Sequence, residues 1–175
     1  MSKPFSRSRS VLLVAALCVI FGALTVPQSA AAATAGGPRP AWVFVTMIEN
    51  VNSHKCLEMP WATRDNFAQA GQYTCHGGDN QQWAYNPDTG EIRNIHSGKC
   101  LEDMYYSTDN FAPIGQYDCT GGVNQMWWMG DSTGLIENQF SRKCLEVLDY
   151  RTDDFAPVDQ YDCYAGSTQL WLWND

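Results

Sequence analysis

The sequence is short of positive charge. Its 175 residues carry 11 lysines and arginines against 19 aspartates and glutamates, a net charge of −8. Lys3, Arg7 and Arg9 stand at the start, so beyond residue 35 eight cations face all 19 acids and the net charge is −11. Such a chain repels nucleic acid and anionic membrane, and it suits a neutral or cationic partner. Histidine is scarce too: His54, His76 and His96 do not cluster. No Ser-His-Asp order, Cys-His pair or histidine cluster converges, so the chain reads as a non-enzyme without cofactor or metal. The acid pair Asp153-Asp154 falls in an expected loop, where solvation is its default. Helical spacing of apolar residues is missing, while Gly, Asn, Asp and Pro interrupt the text every dozen residues. That excludes a helical fold.

One apolar run, Val11 to Leu24, follows the early cations and precedes an Ala-rich stretch, Gln28 to Ala35. It is too short to cross a bilayer comfortably. Residues 1–35 read as a secretory signal peptide cleaved after Ala35, residues 36–41 as a short linker. The expected destination is extracellular, without stable membrane insertion after cleavage.

What is present is repetition. Ile-x-Asn, Lys-Cys-Leu-Glu, Gln-Tyr-x-Cys and Gln-x-Trp recur three times at a gapless period of 44 residues. The copies begin at Ile48, Ile92 and Ile136, and their blocks run over about 42–85, 86–129 and 130–173. No length is left for a second domain. Six cysteines lie in the repeats, two per copy. Export and an even count argue for disulfides. The repeat favours Cys56–Cys75, Cys100–Cys119 and Cys144–Cys163, since each copy then closes its own loop, worth about 3 kcal/mol apiece in the chain-entropy model. A metal site is the competing reading, weakened because the histidines do not repeat with the sulfurs.

Short apolar runs between turns give the strand candidates Val43–Ile48, Cys56–Met59, Gly71–Cys75 and Gln82–Tyr85 in the first copy. Three such units bury their apolar faces only against one another, and three-fold closure leaves few free edges. The expectation is an all-β fold, a β-trefoil of about twelve short strands. Its core would be Ile48, Ile92, Ile136, Leu57, Leu101, Leu145, Trp83, Trp127 and Trp171.

Cys-Leu-acidic, aromatic-x-Cys and Asn-Gln-x-Trp in tandem triplicate resemble the ricin B-type (R-type) lectin domain, a module also appended to bacterial glycosidases. The resemblance covers residues 42–175. It implies glycan or polysaccharide binding, and the chain is expected to be a monomer. A sugar has C–H groups on one face and hydroxyls at its edge, so its site needs an aromatic plate and convergent polar groups. The resemblance assigns an acid that accepts hydroxyl protons, an aromatic plate and an Asn offering both donor and acceptor. On this sequence the sets are Glu58, Tyr73 and Asn80, then Glu102, Tyr117 and Asn124, then Glu146 and Tyr161 with Thr168 where Asn is expected. The family's acid is usually Asp. Glu moves the carboxylate by more than about 1 Å, which bears on galactose-type specificity.

Plainer readings stand beside these. The three Glu could be solvated strand residues, and the three Tyr could cover the disulfides. Gln81, Gln125 and Gln169 read as amides tying a turn. Gly78, Gly122 and Gly166 read as turn residues needing positive φ. Asp65, Asp109 and Asp153 shape a loop whose Phe67, Phe111 and Phe155 tuck inward. A trefoil that binds or inhibits a protein through a loop is the alternative function.

Overall fold

The computed structural model describes residues 44–130 and 132–174. The expected signal peptide and linker lie outside the described residues. Among the described residues thirteen short strands follow one another, with six single turns of 3-10 helix among them. The first copy supplies β1 (Phe44–Asn50), β2 (Cys56–Glu58), β3 (Ala68–Gln69), β4 (Gly71–Tyr73) and β5 (Gln82–Asn86). The second supplies β6 (Glu91–Asn94), β7 (Cys100–Asp103), β8 (Ala112–Tyr117) and β9 (Trp127–Met129). The third supplies β10 (Ile136–Asn138), β11 (Cys144–Val147), β12 (Val158–Tyr161) and β13 (Trp171–Asn174). The thirteenth strand arises because the third strand of the first copy breaks at Ala70. Its first half pairs with β8 of the second copy and its second half with β2 of its own.

Closure is antiparallel and repeats. β5 pairs with β6, β9 with β10, and β13 with β1, so Trp83, Trp127 and Trp171 face Asn94, Asn138 and Asn50 across the joints. All nine expected core residues are sealed from solvent. Each indole also donates its Nε1–H to the carbonyl of the leucine in Cys-Leu-Glu, at 2.9, 3.0 and 3.0 Å. The burial therefore leaves no orphaned indole donor. The three expected disulfides are formed, each with Cα atoms 5.1 Å apart. Among the described residues no helix is long and apolar enough to cross a membrane.

The Gln of Gln-Tyr-x-Cys joins neighbouring copies. Gln116 Nε2 donates to the carbonyls of Thr63 and Asp65, at 3.0 and 3.1 Å, and the main-chain carbonyl of Gln116 accepts from Phe67 N–H at 2.9 Å. Gln160 holds Ser107, Asp109 and Phe111 in the same way, and Gln72 holds Arg151, Asp153 and Phe155. Each copy thus clamps the loop of the copy before it, and the third closes onto the first.

Candidate functional site

The acidic residue of each copy lies on the strand that begins at the first disulfide cysteine, two residues after it, where register sets its direction. Glu58, Glu102 and Glu146 are only 2, 5 and 5 % exposed, so they are not solvated strand residues. Nor do they stand out in solvent beside the aromatic plate. Each is a floor. Its Oε2 accepts a hydrogen bond from the Gln of Gln-x-Trp, at 3.1, 3.0 and 2.9 Å. That Gln also accepts from a backbone amide through Oε1 and donates to a backbone carbonyl, so it ties the turn as expected. Burial raises all three carboxyl pKa values above the ordinary glutamate range, opposed chiefly by the Gln amides.

Asn80 and Asn124 reach the same carboxylates, Nδ2 donating to Glu58 and Glu102 at 3.3 Å each. Asn124 is 3 % exposed, and its Oδ1 carries no hydrogen bond among the described residues. In the third copy Thr168 Oγ1 lies 2.8 Å from Tyr164 Oη, which in turn donates to Tyr150 Oη at 3.2 Å.

Tyr73, Tyr117 and Tyr161 are half-buried beside these groups, and each packs on a phenylalanine from the preceding copy. Tyr117 meets Phe67 at 4.7 Å between ring centroids, Tyr161 meets Phe111 at 4.9 Å, and Tyr73 meets Phe155 at 4.7 Å. The phenylalanines are therefore not tucked inward. They are 48, 56 and 42 % exposed and form the outer wall of the next copy's site. The physical reason is the Gln clamp, which pins their backbone at the seam between copies, with φ of 62, 65 and 62°.

Beside that wall lies a turn held in the left-handed region. Trp61, Tyr105 and Asp149 have φ of 54, 66 and 54°, and the residues after them are left-handed too. Paired non-glycine residues in this region are strained and recur at functional sites. Trp61 stacks on Phe155 at 5.0 Å and Tyr105 on Phe67 at 5.4 Å, nearly parallel in both cases. The glycines expected at positive φ are a correction. Gly78, Gly122 and Gly166 have φ near −67, −67 and −70°, and the left-handed residues are their neighbours Gly77, Gly121 and Ala165. The former stay glycine for space: a Cβ on Gly122 would fall 2.7 Å from Asn124 Oδ1 and from Tyr106 Oη.

The second site is an open pocket of about 320 Å³ lined by Phe67 of the first copy and by Glu102, Tyr105, Tyr106, Tyr117, Thr120 and Asn124. The third is an open pocket of about 340 Å³ lined by Phe111 of the second copy and by Glu146, Asp149, Tyr150, Tyr161 and Tyr164. The structure thus brings each sequence-assigned Glu and Tyr to one place. It adds three groups the sequence reading missed: the phenylalanines, the strained turns, and residues 76, 120 and 164. His76 sets Nε2 3.6 Å from Glu58 Oε2. One sequence signal would have found the turns and residues 76, 120 and 164, because those positions differ between copies while the frame repeats.

The sequence model of the ricin-type beta-trefoil lectin domain matches residues 44–171. Among solved structures the chain is similar to ThreeFoil, a designed three-fold symmetric protein, with TM-score 0.71 and 33% identity over 75% of this chain and 98% of that one. It is similar to part of an exo-β-1,3-galactanase from Clostridium thermocellum, with TM-score 0.70 and 29% identity over 75% of this chain and 30% of that one. A third similarity is to part of the hemolytic lectin CEL-III, with TM-score 0.64 and 25% identity over 76% of this chain and 30% of that one. No curated protein matches the chain.

Proposed function

From the premise that the chain belongs to the ricin-type β-trefoil lectin family, we propose that it is an exported, non-catalytic binder of neutral glycans. Residues 1–35 serve as its signal peptide, and three disulfides suit an oxidising compartment. The binding residues are Glu102, Tyr117 and Asn124 in the second site, Glu58, Tyr73 and Asn80 in the first, and Glu146 and Tyr161 in a divergent third. The observation that carries this reading is the pocket of the second site. There an aromatic plate, a buried carboxylate and Asn124 line one space. A carboxylate accepts hydroxyl protons from a sugar, and an aromatic ring takes the sugar's C–H face. The acidic surface disfavours anionic polysaccharides. Two or three weak sites on one rigid body gain avidity on a polymer through effective concentration.

A glycan array and a pull-down on insoluble neutral polysaccharides test the reading. Wild-type protein is retained, and Tyr117→Ala weakens retention by about tenfold while thermal unfolding stays near wild type. No retention of the wild type on any neutral glycan at high protein density refutes it.

A further inference from the structure

The aromatic wall of the first two sites is longer than one sugar ring can use. In the second site Tyr117, Phe67 and Tyr105 touch in sequence, with centroid steps of 4.7 and 5.4 Å. In the first, Tyr73, Phe155 and Trp61 repeat the series, with steps of 4.7 and 5.0 Å. The tilt at the first step and the near-parallel second step recur in both copies: 50 and 12°, then 51 and 8°. The third site keeps the first step, Tyr161 to Phe111 at 55°, but has Asp149 where the others have Trp61 and Tyr105. Asp149 has the same left-handed backbone, so the turn is retained and only its ring is gone.

The polar floor does not extend as far as the wall. Glu102 and Asn124 are bonded to each other. A single pyranose seated on Tyr117 takes these polar groups. Phe67 and Tyr105 still line the same pocket, and Tyr105 is 71 % exposed. Trp61 is 81 % exposed. Large rings held out in water on strained turns cost stability and pack little, so their repetition points to a ligand.

Building on the glycan-binding reading above, we propose that Phe155 with Trp61, and Phe67 with Tyr105, form a second subsite that stacks the next unit of a neutral sugar chain. The ligand of the first two sites is then an oligosaccharide of at least two contiguous units. The third site holds one unit. Each two-unit site is composite, since its phenylalanine comes from the preceding copy.

Amide NMR titration of the protein expressed from the full chain reads the sites separately. The backbone amides of His76, Thr120 and Tyr164 are each bonded to the Gln of their own site. The probes are galactose, β-1,3-linked galactobiose and galactotriose, with xylose, xylobiose and xylotriose in parallel. Two-unit probes bind about tenfold more tightly than one-unit probes at His76 and Thr120, with no such gain at Tyr164. Tyr105→Ala, at an exposed position that leaves the fold intact, removes the length gain at Thr120 and leaves it at His76. Asp149→Tyr creates a length gain at Tyr164. Equal affinity for one and two units at Thr120, or a Tyr105→Ala loss of equal ratio for both, overturns the subsite and leaves the single-sugar reading standing. No shift with any probe, together with no retention on the glycan array, overturns both.

Discussion

The second and third sites share a frame and differ at the rim. In both, a Gln amide holds a buried Glu, at 3.0 and 2.9 Å, and a Tyr leans on the preceding copy's Phe, at 4.7 and 4.9 Å. They part where Tyr105 becomes Asp149, Thr120 becomes Tyr164, and Asn124 becomes Thr168. In the second site the Asn supports the carboxylate, and its own oxygen is sealed from solvent. In the third a hydroxyl chain, Thr168 to Tyr164 to Tyr150, uses the protein's own groups. The third site also gathers carboxylates, since Asp149 lines it and buried Asp159 faces Glu146 across the strand pair. Three-fold packing fixes the frame in every copy, whereas the rim is free to diverge.

The largest expected effect tests the shared frame. Trp127→Ala and Trp171→Ala, beneath the two sites, should each cost about 3–5 kcal/mol in urea unfolding. A cost below about 1 kcal/mol for either would show that the two sites do not rest on equivalent cores.

The next concerns two acids that break the symmetry. Asp103 stands where the other copies have Met59 and Val147, and Asp159 where they have Gly71 and Gly115. Both are buried with no hydrogen bond on either oxygen among the described residues. Burial pushes both pKa values up to about 7, helped by Glu102 beside Asp103 and by Glu146 and Asp149 beside Asp159. The folded state holds these protons more tightly than the unfolded state. Their stabilisation is therefore full below an ordinary aspartate pKa and is lost as pH rises toward about 7. The exposed Asp118, Asp154 and Asp162 have lowered pKa values, through Asn66 and Lys99, Lys55, and Lys143 respectively. Their contribution is lost in the other direction, as pH falls through their folded values. Melting temperature should therefore peak in mild acid and fall toward pH 7. Asp103→Asn or Asp159→Asn should each flatten that fall, and a fall unchanged in both variants would contradict it.

Converting one rim into the other has a smaller effect. Asn124→Thr should weaken the second site by about tenfold. Thr168→Asn should strengthen the third only together with Tyr164→Thr, because the tyrosine hydroxyl otherwise holds residue 168. A gain from Thr168→Asn alone, in the NMR titration at residue 164, would sink that account.

The smallest effect lies at the seams. Asp118 joins Lys99 at 2.5 Å and Asn66 at 3.0 Å, and Asp162 joins Lys143 and Asn110 at 2.7 and 3.0 Å. At the closing seam the acid has changed sides: Asp154 meets Lys55 and Thr74 at 2.7 and 2.9 Å. Solvent screens these surface ties, so each should contribute little to stability. Asp154→Asn with Thr74→Asp should restore the pattern of the other seams at near-wild-type stability, as unfolding of the double variant would report.

Much of the frame was legible because packing repeats what it needs. Ile48, Leu57, Trp83 and their counterparts matched in register, and all of them are buried. The paired cysteines followed from the same period. The Glu and Tyr positions were legible through the family resemblance, but their environment was not. A matched Glu triplet reads the same whether it is solvated or held by a Gln 23 residues away. The phenylalanines were misread because an apolar residue between loop residues suggests burial. Their exposure follows from a clamp in the next copy, through pairs 51 residues apart such as Asp65 and Gln116.

The sequence by itself determined the period, the all-β character, the closed disulfide loops and the nine-residue core, because each depends on residue type repeated at fixed spacing. Tertiary structure alone decided that each site spans two copies, that its acid forms a sheltered floor, and that strained turns complete its rim. Those features arise where chain segments from different copies meet, and no local spacing records which segment a closed ring brings to its neighbour.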